Sequence, residues 1–403
     1  MSSSPGPAPN PAGTAAPYPG GRSAGGASLV IVGGGFGGLY TALALAARRQ
    51  HPPLLLIEPN ERFLFLPLLY ELLSGELRSW EIAPRYDALL AGRGVAWLRD
   101  RVEAIDADAG SLRTAGGHCL SFSRLVVATG GRTDSFGIPG VIENALFFRS
   151  LQDVERLQHL VEALRQRRTS LQRLAVVGAG PSGVELACKL ADLLAGCAVV
   201  ELIEQGPTAL PQARSFNREQ AVAALQRRDV RLRTGVGVMA VATDRLELSD
   251  GSSLAVEATV WTAGLHLNPP PITPAPARDS RGRLLCNAEL QLRHHPRIFA
   301  IGDVAALPGE PLPATAQVAF QQADCLAANL IGAEQGEPLT PFVFNDLGEM
   351  LSLGIGEASL TANGITLAGR AAFQLRRLAY LTRLPGAGHQ LRVAAGWLAD
   401  WGR

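Results

Sequence analysis

Two stretches of this 403-residue chain set three glycines at a fixed spacing and an acid at a fixed distance beyond them. Gly33, Gly35 and Gly38 are followed by Glu58, 20 residues past Gly38. Gly178, Gly180 and Gly183 are followed by Glu204, 21 residues past Gly183. The chemistry this spacing serves is the holding of a dinucleotide. The first glycine makes a tight turn, the second lets a pyrophosphate approach the backbone, and the third lets a helix pack closely on a strand. The helix start offers free N–H groups and a positive dipole end to the diphosphate. The acid accepts hydrogen bonds from the adenosine ribose hydroxyls. Glycine-rich turns without a ligand would account for one such copy; two complete copies point to two dinucleotide sites, one for a resident cofactor and one for an exchangeable one.

The elements that must position these groups are legible around them. Leu29-Val30-Ile31-Val32 reads as a buried strand, Leu39 to Arg49 as a helix ending in two cations that suit its dipole, and Leu54 to Ile57 as the next strand. The pattern recurs about 145 residues on: a strand at Leu174 to Val177, a helix from Val184 to about Leu194, and a strand from Ala198 to Ile203 that stops at Glu204. Each is a βαβ unit, whose crossover implies parallel strands. A strand-like run lies near Val102. Three further apolar runs stop at small residues: Leu125 to Gly131, Val260 to Gly264 and Ile298 to Asp303. Pro269 to Pro276 reads as a linker out of the second unit.

Composition narrows the class. Hydrophobic residues make up 47% and charged residues 18%, enough to fill large cores. The formal charge of +1 excludes an overall electrostatic design for nucleic acid. Lys189 is the only lysine, so nearly all the positive charge is arginine. The cysteines, Cys119, Cys188, Cys197, Cys286 and Cys325, form no CxxC or CxxxxC pair and no disulfide framework. No metal site is expected. No apolar run approaches a spanning helix, though surface attachment stays open. Residues 1–27, rich in Pro, Gly, Ser and Ala, read as a disordered tail, with a plastid transit peptide as the alternative.

Ile298-Phe299-Ala300-Ile301-Gly302-Asp303 resembles the second FAD fingerprint of two-dinucleotide-binding flavoproteins, and Ala128-Thr129-Gly130 resembles that group's mid-chain turn. The resemblance covers nearly the whole ordered chain. It implies an α/β architecture of two Rossmann-like dinucleotide-binding domains, an FAD domain with an inserted NAD(P) domain, plus a C-terminal membrane-associating segment. It implies that Gly33, Gly35, Gly38, Glu58, Thr129, Gly130, Gly302 and Asp303 hold FAD. Gly178, Gly180, Gly183 and Glu204 would then hold the nicotinamide dinucleotide. The divisions expected are residues 1–27 as tail, 28–150 and 267–341 as the two parts of the FAD domain, 151–266 as the NAD(P)H domain, and 342–403 as the C-terminal region. Disulfide and sulfide:quinone reductases of this superfamily need redox cysteines, which residues 130–187 lack entirely.

Pro313 to Gln322 is similar to the AQxAxQQ quinone-site signature of type II NAD(P)H:quinone oxidoreductases, single-chain dehydrogenases that do not pump protons. That resemblance implies hydride transfer from NAD(P)H through the flavin to a quinone. It puts Ala316 and Gln317 by the isoalloxazine ring, and Gln317 and Gln321, four apart on one helix face, at the quinone site. Glu185 opens the second unit's helix; it sits near the nicotinamide or merely serves the helix dipole, and both readings stay open. Phe65 to Tyr70, Phe136 to Gly140 and Val260 to Gly264 match further landmarks of that family. The stretch from Asn345 to Gly354 carries Asp346-Leu347-Gly348 where the common respiratory pattern has DKG, and reads on as Leu347-Gly348-Glu349-Met350. It resembles the cyanobacterial and plastid demethylphylloquinone reductase branch of phylloquinone biosynthesis. Glu204 argues for NADH by repelling a 2′-phosphate, whereas the branch implies NADPH, so the nicotinamide stays open.

Residues 358–403 carry six arginines against one acid, Asp400. Leu391, Ala394, Trp397, Leu398 and Trp401 fall on one side of a helix; His389, Arg392 and Asp400 fall on the other. The segment Ala371–Leu384 mixes arginines among apolar residues without a clean face. Such a region either docks on the protein itself or a partner subunit, or lies in a bilayer headgroup layer. The family resemblance favours peripheral attachment on the cytoplasmic face of a thylakoid or plasma membrane; monomer and homodimer both stay open. Three functions compete: the quinone oxidoreductase (branch-specific or a general respiratory dehydrogenase), a flavoprotein reductase of a protein electron carrier, and a non-catalytic dinucleotide sensor.

Overall fold

The computed structural model describes residues 29–48, 51–167, 172–309 and 311–401. The expectations placed on residues 1–27, Arg49 and Arg403 lie outside the described residues, as do the side chains of Asp400 and Trp401.

The first sheet has six strands in the spatial order 291–292, 295–300, 124–127, 29–32, 54–57 and 95–98. All neighbours are parallel except the antiparallel edge pair 291–292 and 295–300. Its central strands are buried on both faces, which is why they read as unbroken Val/Ile/Leu runs. The second sheet is parallel throughout, in the order 231–234, 198–204, 172–177, 258–261 and 145–146. A two-stranded antiparallel ribbon, Gly131–Arg132 with His266–Leu267, joins the two units.

The glycine helices run Phe36–Ala46 and Pro181–Leu194. Each starts three residues before the hydrophobic pattern suggests, because the glycine turn itself closes into the first helical turn. The first also ends before its cations, so Arg48 lies beyond the helix. The segment near Val102 is the strand Val102–Asp106.

The C-terminal region holds a three-stranded antiparallel sheet, Glu349–Ser352, Ala358–Ala362 and Ile365–Gly369, followed by helices Arg370–Leu381 and Ala387–Trp401. The helix Arg370–Leu381 has no clean polar face because one arginine turns inward: Arg376 is buried with only 1% of its surface exposed. The second helix is divided too. Val393 is buried and Trp397 half-buried against the protein, while Leu391 and Leu398 are exposed. Among the described residues no helix is long and apolar enough to cross a membrane.

Candidate functional site

At the carboxyl end of the first sheet, three loops converge. Gly33 holds φ of +98°, and a Cβ there would sit 2.5 Å from the Ala128 carbonyl oxygen. That places the glycine turn against Ala128-Thr129-Gly130. A Cβ on Gly37 would lie 2.9 Å from Ile301 Cδ1, so the Gly302-Asp303 turn meets the same helix start. Nothing lies within 4 Å of a Cβ position on Gly35, which leaves open space before the helix. Glu58 accepts hydrogen bonds from the Gly34 N–H at 2.6 Å and from the Asn60 N–H at 2.9 Å, tying the turn to the end of the second strand.

The second sheet repeats this construction. Gly178 holds φ of +99°, and Gly180 also faces open space. Glu204 accepts from the Ala179 and Gly206 N–H groups, each at 2.7 Å. In both units a Cβ on the third glycine would collide with the carbonyl oxygen of the first, Gly38 with Gly33 and Gly183 with Gly178. The sheets therefore gather Gly33, Gly35, Gly38, Glu58, Thr129, Gly130, Gly302 and Asp303 at one cleft, and Gly178, Gly180, Gly183 and Glu204 at another.

The first cleft fits a polar ligand with hydroxyl and phosphate groups. Thr129 Oγ1 is buried without a hydrogen-bond partner, an expense that a bound acceptor or donor would relieve. Burial pushes the Asp303 carboxyl up, and nearby Arg149 pulls it back. Gly302 donates its N–H to Gln322 Oε1 at 2.6 Å, so the helix Ala316–Glu334 holds the turn that carries Asp303. Thr315 caps that helix, its hydroxyl accepting from Val318 N–H at 3.3 Å. Its Phe320 ring packs on Tyr40 and Phe36 of the first glycine helix at 4.3 and 5.2 Å between centroids. Ala316 thus begins a helix that lies against the cleft.

Gln317 and Gln321 share a face but differ in commitment. Gln321 donates to the Asn345 carbonyl at 2.8 Å and accepts from the Asn345 N–H at 2.9 Å, behaving as one more strand partner. Gln317 makes only a 3.5 Å contact with the Gly348 carbonyl, which leaves most of its amide free to meet a ligand. The Leu347-Gly348-Glu349-Met350 motif has a local duty as well. Glu349 accepts from Arg214 N–H at 3.0 Å and Asn217 Nδ2 at 2.7 Å, anchoring the start of helix Ser215–Arg227.

Glu185 lies apart from the glutamines, in a buried charged cluster. It accepts from the Ser352 N–H at 2.7 Å, and Arg376 Nη2 stands 3.8 Å away. Burial lifts the Glu185 carboxyl to about 7 against the pull of Arg376 and the Ser352 N–H. Arg376 also bonds the Glu71 carboxylate and, at 2.6 Å, the Pro67 carbonyl. Tyr70 joins the cluster, its phenol pushed well up by burial and by Glu185. Sequence reasoning missed Glu71, Arg376, Ser352, Gln322 and Arg149. Three had a signal: Gln322 ends the AQxAxQQ signature, Ser352 lies in the Asn345–Gly354 stretch, and Glu71 directly follows the Phe65–Tyr70 landmark. Two of the cysteines are kept as thiols: Cys188 and Cys286 are buried, and burial pushes both up to about 12.

With this geometry in place, similarity to known proteins is decisive. The family model described as pyridine nucleotide-disulphide oxidoreductase matches residues 27–323. The chain is 40% identical to the demethylphylloquinone reductase NdbB of Synechocystis sp., over 93% of this chain and 97% of that one. It is 36% identical to the alternative NAD(P)H-ubiquinone oxidoreductase C1, chloroplastic/mitochondrial, of Arabidopsis thaliana, over 92% and 80%. The chain belongs to the type II NAD(P)H:quinone oxidoreductases. The fold agrees: a solved structure of NDH2 from Plasmodium falciparum in complex with NADH superposes with a TM-score of 0.81 at 18% identity, over 92% of this chain and 97% of that one. Within a type II enzyme the missing redox cysteine pair is expected, because a flavin can hand electrons to a quinone without a disulfide relay.

Proposed function

We propose that this chain is an FAD-dependent oxidoreductase that takes a hydride from NAD(P)H and reduces a membrane quinone, with demethylphylloquinone as the substrate its similarity to NdbB favours. One observation carries the reading. The single segment 345–352 touches Gln321 at Asn345, Gln317 at Gly348 and Glu185 at Ser352, and so ties the candidate quinone-site helix to the helix that follows the second glycine turn.

In this reading Gly33, Gly35 and Gly38 seat the FAD pyrophosphate, Glu58 and Asp303 take its ribose and ribityl hydroxyls, and Thr129 Oγ1 supplies the hydrogen bond it lacks inside the protein. Bound FAD supplies two-electron chemistry between the nicotinamide and the quinone. The chain's residues do the rest. Glu204 and the second glycine turn orient the dinucleotide. Gln317 offers its free amide to a quinone carbonyl. Glu185, its carboxyl lifted by burial to about 7, can take up or release a proton near neutral pH. In this reading the divisions are 28–150, 151–266 and 267–341, except that strand 145–146 pairs in the second sheet and so goes with the NAD(P)H unit, and 342–403 is the membrane-anchoring region.

A peripheral membrane position completes the proposal. Leu375 and Leu378 on one C-terminal helix, and Leu391 and Leu398 on the other, are exposed by 47%, 56%, 72% and 68%. Arg370, Arg383 and Arg392 flank them in solvent, a composition that suits a headgroup layer. The deciding experiment is steady-state NAD(P)H oxidation by FAD-loaded protein with a soluble naphthoquinone and a soluble benzoquinone. Turnover is expected with at least one; none with either would reject the function.

A further inference from the structure

The order of the second sheet fixes which half of a dinucleotide goes where. Strand 198–204, with Glu204 at its end, lies on one side of strand 172–177; strand 258–261 lies on the other. If Glu204 takes the adenosine ribose, the pyrophosphate crosses the turn at 178–180, and the nicotinamide half runs out over Thr262-Ala263-Gly264. A Cβ on Gly178 would lie 3.1 Å from Ala263, so this segment borders the glycine turn directly.

Phe136 stands at that place. Its ring lies against the backbone of Gly264, where any side chain would overlap it. Phe136 adopts φ of +52°, a conformation that strains a bulky residue, and it is 60% exposed, so burial does not offset the strain. The strained loop is nonetheless held firmly. The Phe136 N–H donates to Asp134 Oδ1 at 2.8 Å, and the Asp134 carbonyl accepts from Trp261 Nε1 at 2.8 Å. Trp261 is buried on the same strand that leads to Gly264. The protein therefore holds a largely exposed aromatic ring, in an unfavourable backbone state, against the segment that borders the second glycine turn.

We propose that Phe136 is a positioning residue for the reduced nicotinamide: its exposed ring packs on the nicotinamide half of bound NAD(P)H and holds that half over the end of strand 258–261. This rests on the assignment of the second cleft to NAD(P)H. It goes beyond it by naming a residue that lies outside both glycine motifs.

The test is calorimetric binding to oxidised, FAD-loaded protein. The probes are tetrahydro-NAD or its 2′-phosphate, unreactive analogues that carry the nicotinamide half, and the matching ADP-ribose, which lacks it. Phe136→Gly should weaken the tetrahydro analogue about 5- to 10-fold, the size of one aromatic contact, and leave ADP-ribose unchanged. The variant should not lower Tm, because glycine takes a positive φ without strain. Phe136→Tyr should restore wild-type affinity. Unchanged affinity of Phe136→Gly for the tetrahydro analogue would overturn the proposal, as would equal weakening of both ligands. Failure of the wild type to bind ADP-ribose at all would instead remove the nucleotide assignment of the second cleft.

Discussion

Glu185 accepts a hydrogen bond from the backbone N–H of Ser352 at 2.7 Å, across 167 residues of sequence. The first turns of the second glycine helix are thereby fastened to the C-terminal sheet, and the fastening carboxyl is one that burial holds near 7. Folding takes this group from an ordinary value of 4.5 to about 7. The folded state therefore binds its proton more tightly than the unfolded chain does. The stability this gives is fully present below pH 4.5 and is lost as pH rises through 7. Relative to Glu185→Gln, the wild type should lose about 3 kcal/mol of unfolding free energy between those limits. Parallel urea titrations at a series of pH values measure it; two curves of identical pH slope would count against the buried, protonated carboxyl.

The Arg376–Glu71 pair makes a second prediction. Both partners are almost fully buried, and removing one strips the other of its main compensation, Arg376 keeping only the longer contact with Glu185 at 3.8 Å. Arg376→Met and Glu71→Gln should each destabilise by about 3–5 kcal/mol, with the double variant losing less than the sum of the two. Thermal melts of the three proteins decide this. Additive losses would mean that the pair is not coupled.

Much of this architecture is legible in the sequence. The central parallel strands are buried on both faces, so they appear as plain apolar runs, and the glycine-acid spacing survives because each acid closes its own turn. What escaped has a physical reason. The C-terminal sheet is built from short, half-polar strands whose alternation is weak. Its one strong signal is Asn363-Gly364, a two-residue loop with both φ values positive that joins Ala358–Ala362 to Ile365–Gly369. The charged cluster was invisible because Glu71, Glu185 and Arg376 are far apart in sequence, and a buried arginine looks the same in a sequence as a solvated one.

The two glutamines should separate in function. Gln317→Ala should lower quinone turnover at least tenfold while leaving anaerobic flavin reduction by NAD(P)H intact, since its amide is the free one. Gln321→Ala should act on the scaffold, because it loses two backbone hydrogen bonds to Asn345, each worth about 1 kcal/mol. Stopped-flow reduction, steady-state turnover and a melt on each variant give the comparison. A normal melt with lost quinone turnover in Gln321→Ala would reverse the two roles.

The exposed leucines separate membrane contact from chemistry. Replacing Leu375, Leu378, Leu391 and Leu398 together by Ser removes apolar surface that is 47–72% solvent-exposed, so the melt should shift far less than for four core leucines. Full burial of a leucine is worth about 1.5–3 kcal/mol, so even partial insertion of four should dominate binding to a vesicle. The variant should stay in the soluble fraction on flotation with anionic liposomes and keep its turnover with a soluble quinone. Co-flotation equal to wild type would show that this face does not meet the bilayer.

The third glycine of each unit offers a last separation. Gly38 and Gly183 stand in equivalent places, each packed so closely on the first glycine's carbonyl that a methyl group cannot fit without moving the turn. Gly183→Ala should therefore disturb the second cleft alone. The purified variant should keep its full flavin absorbance, yet its rate of anaerobic reduction at low NAD(P)H should fall by about two orders of magnitude, as expected when the pyrophosphate loses its close approach to the helix start. Gly38→Ala should do the reverse and emerge colourless. Loss of flavin in Gly183→Ala, with the fold intact by circular dichroism, would mean that the two clefts are assigned the wrong way round.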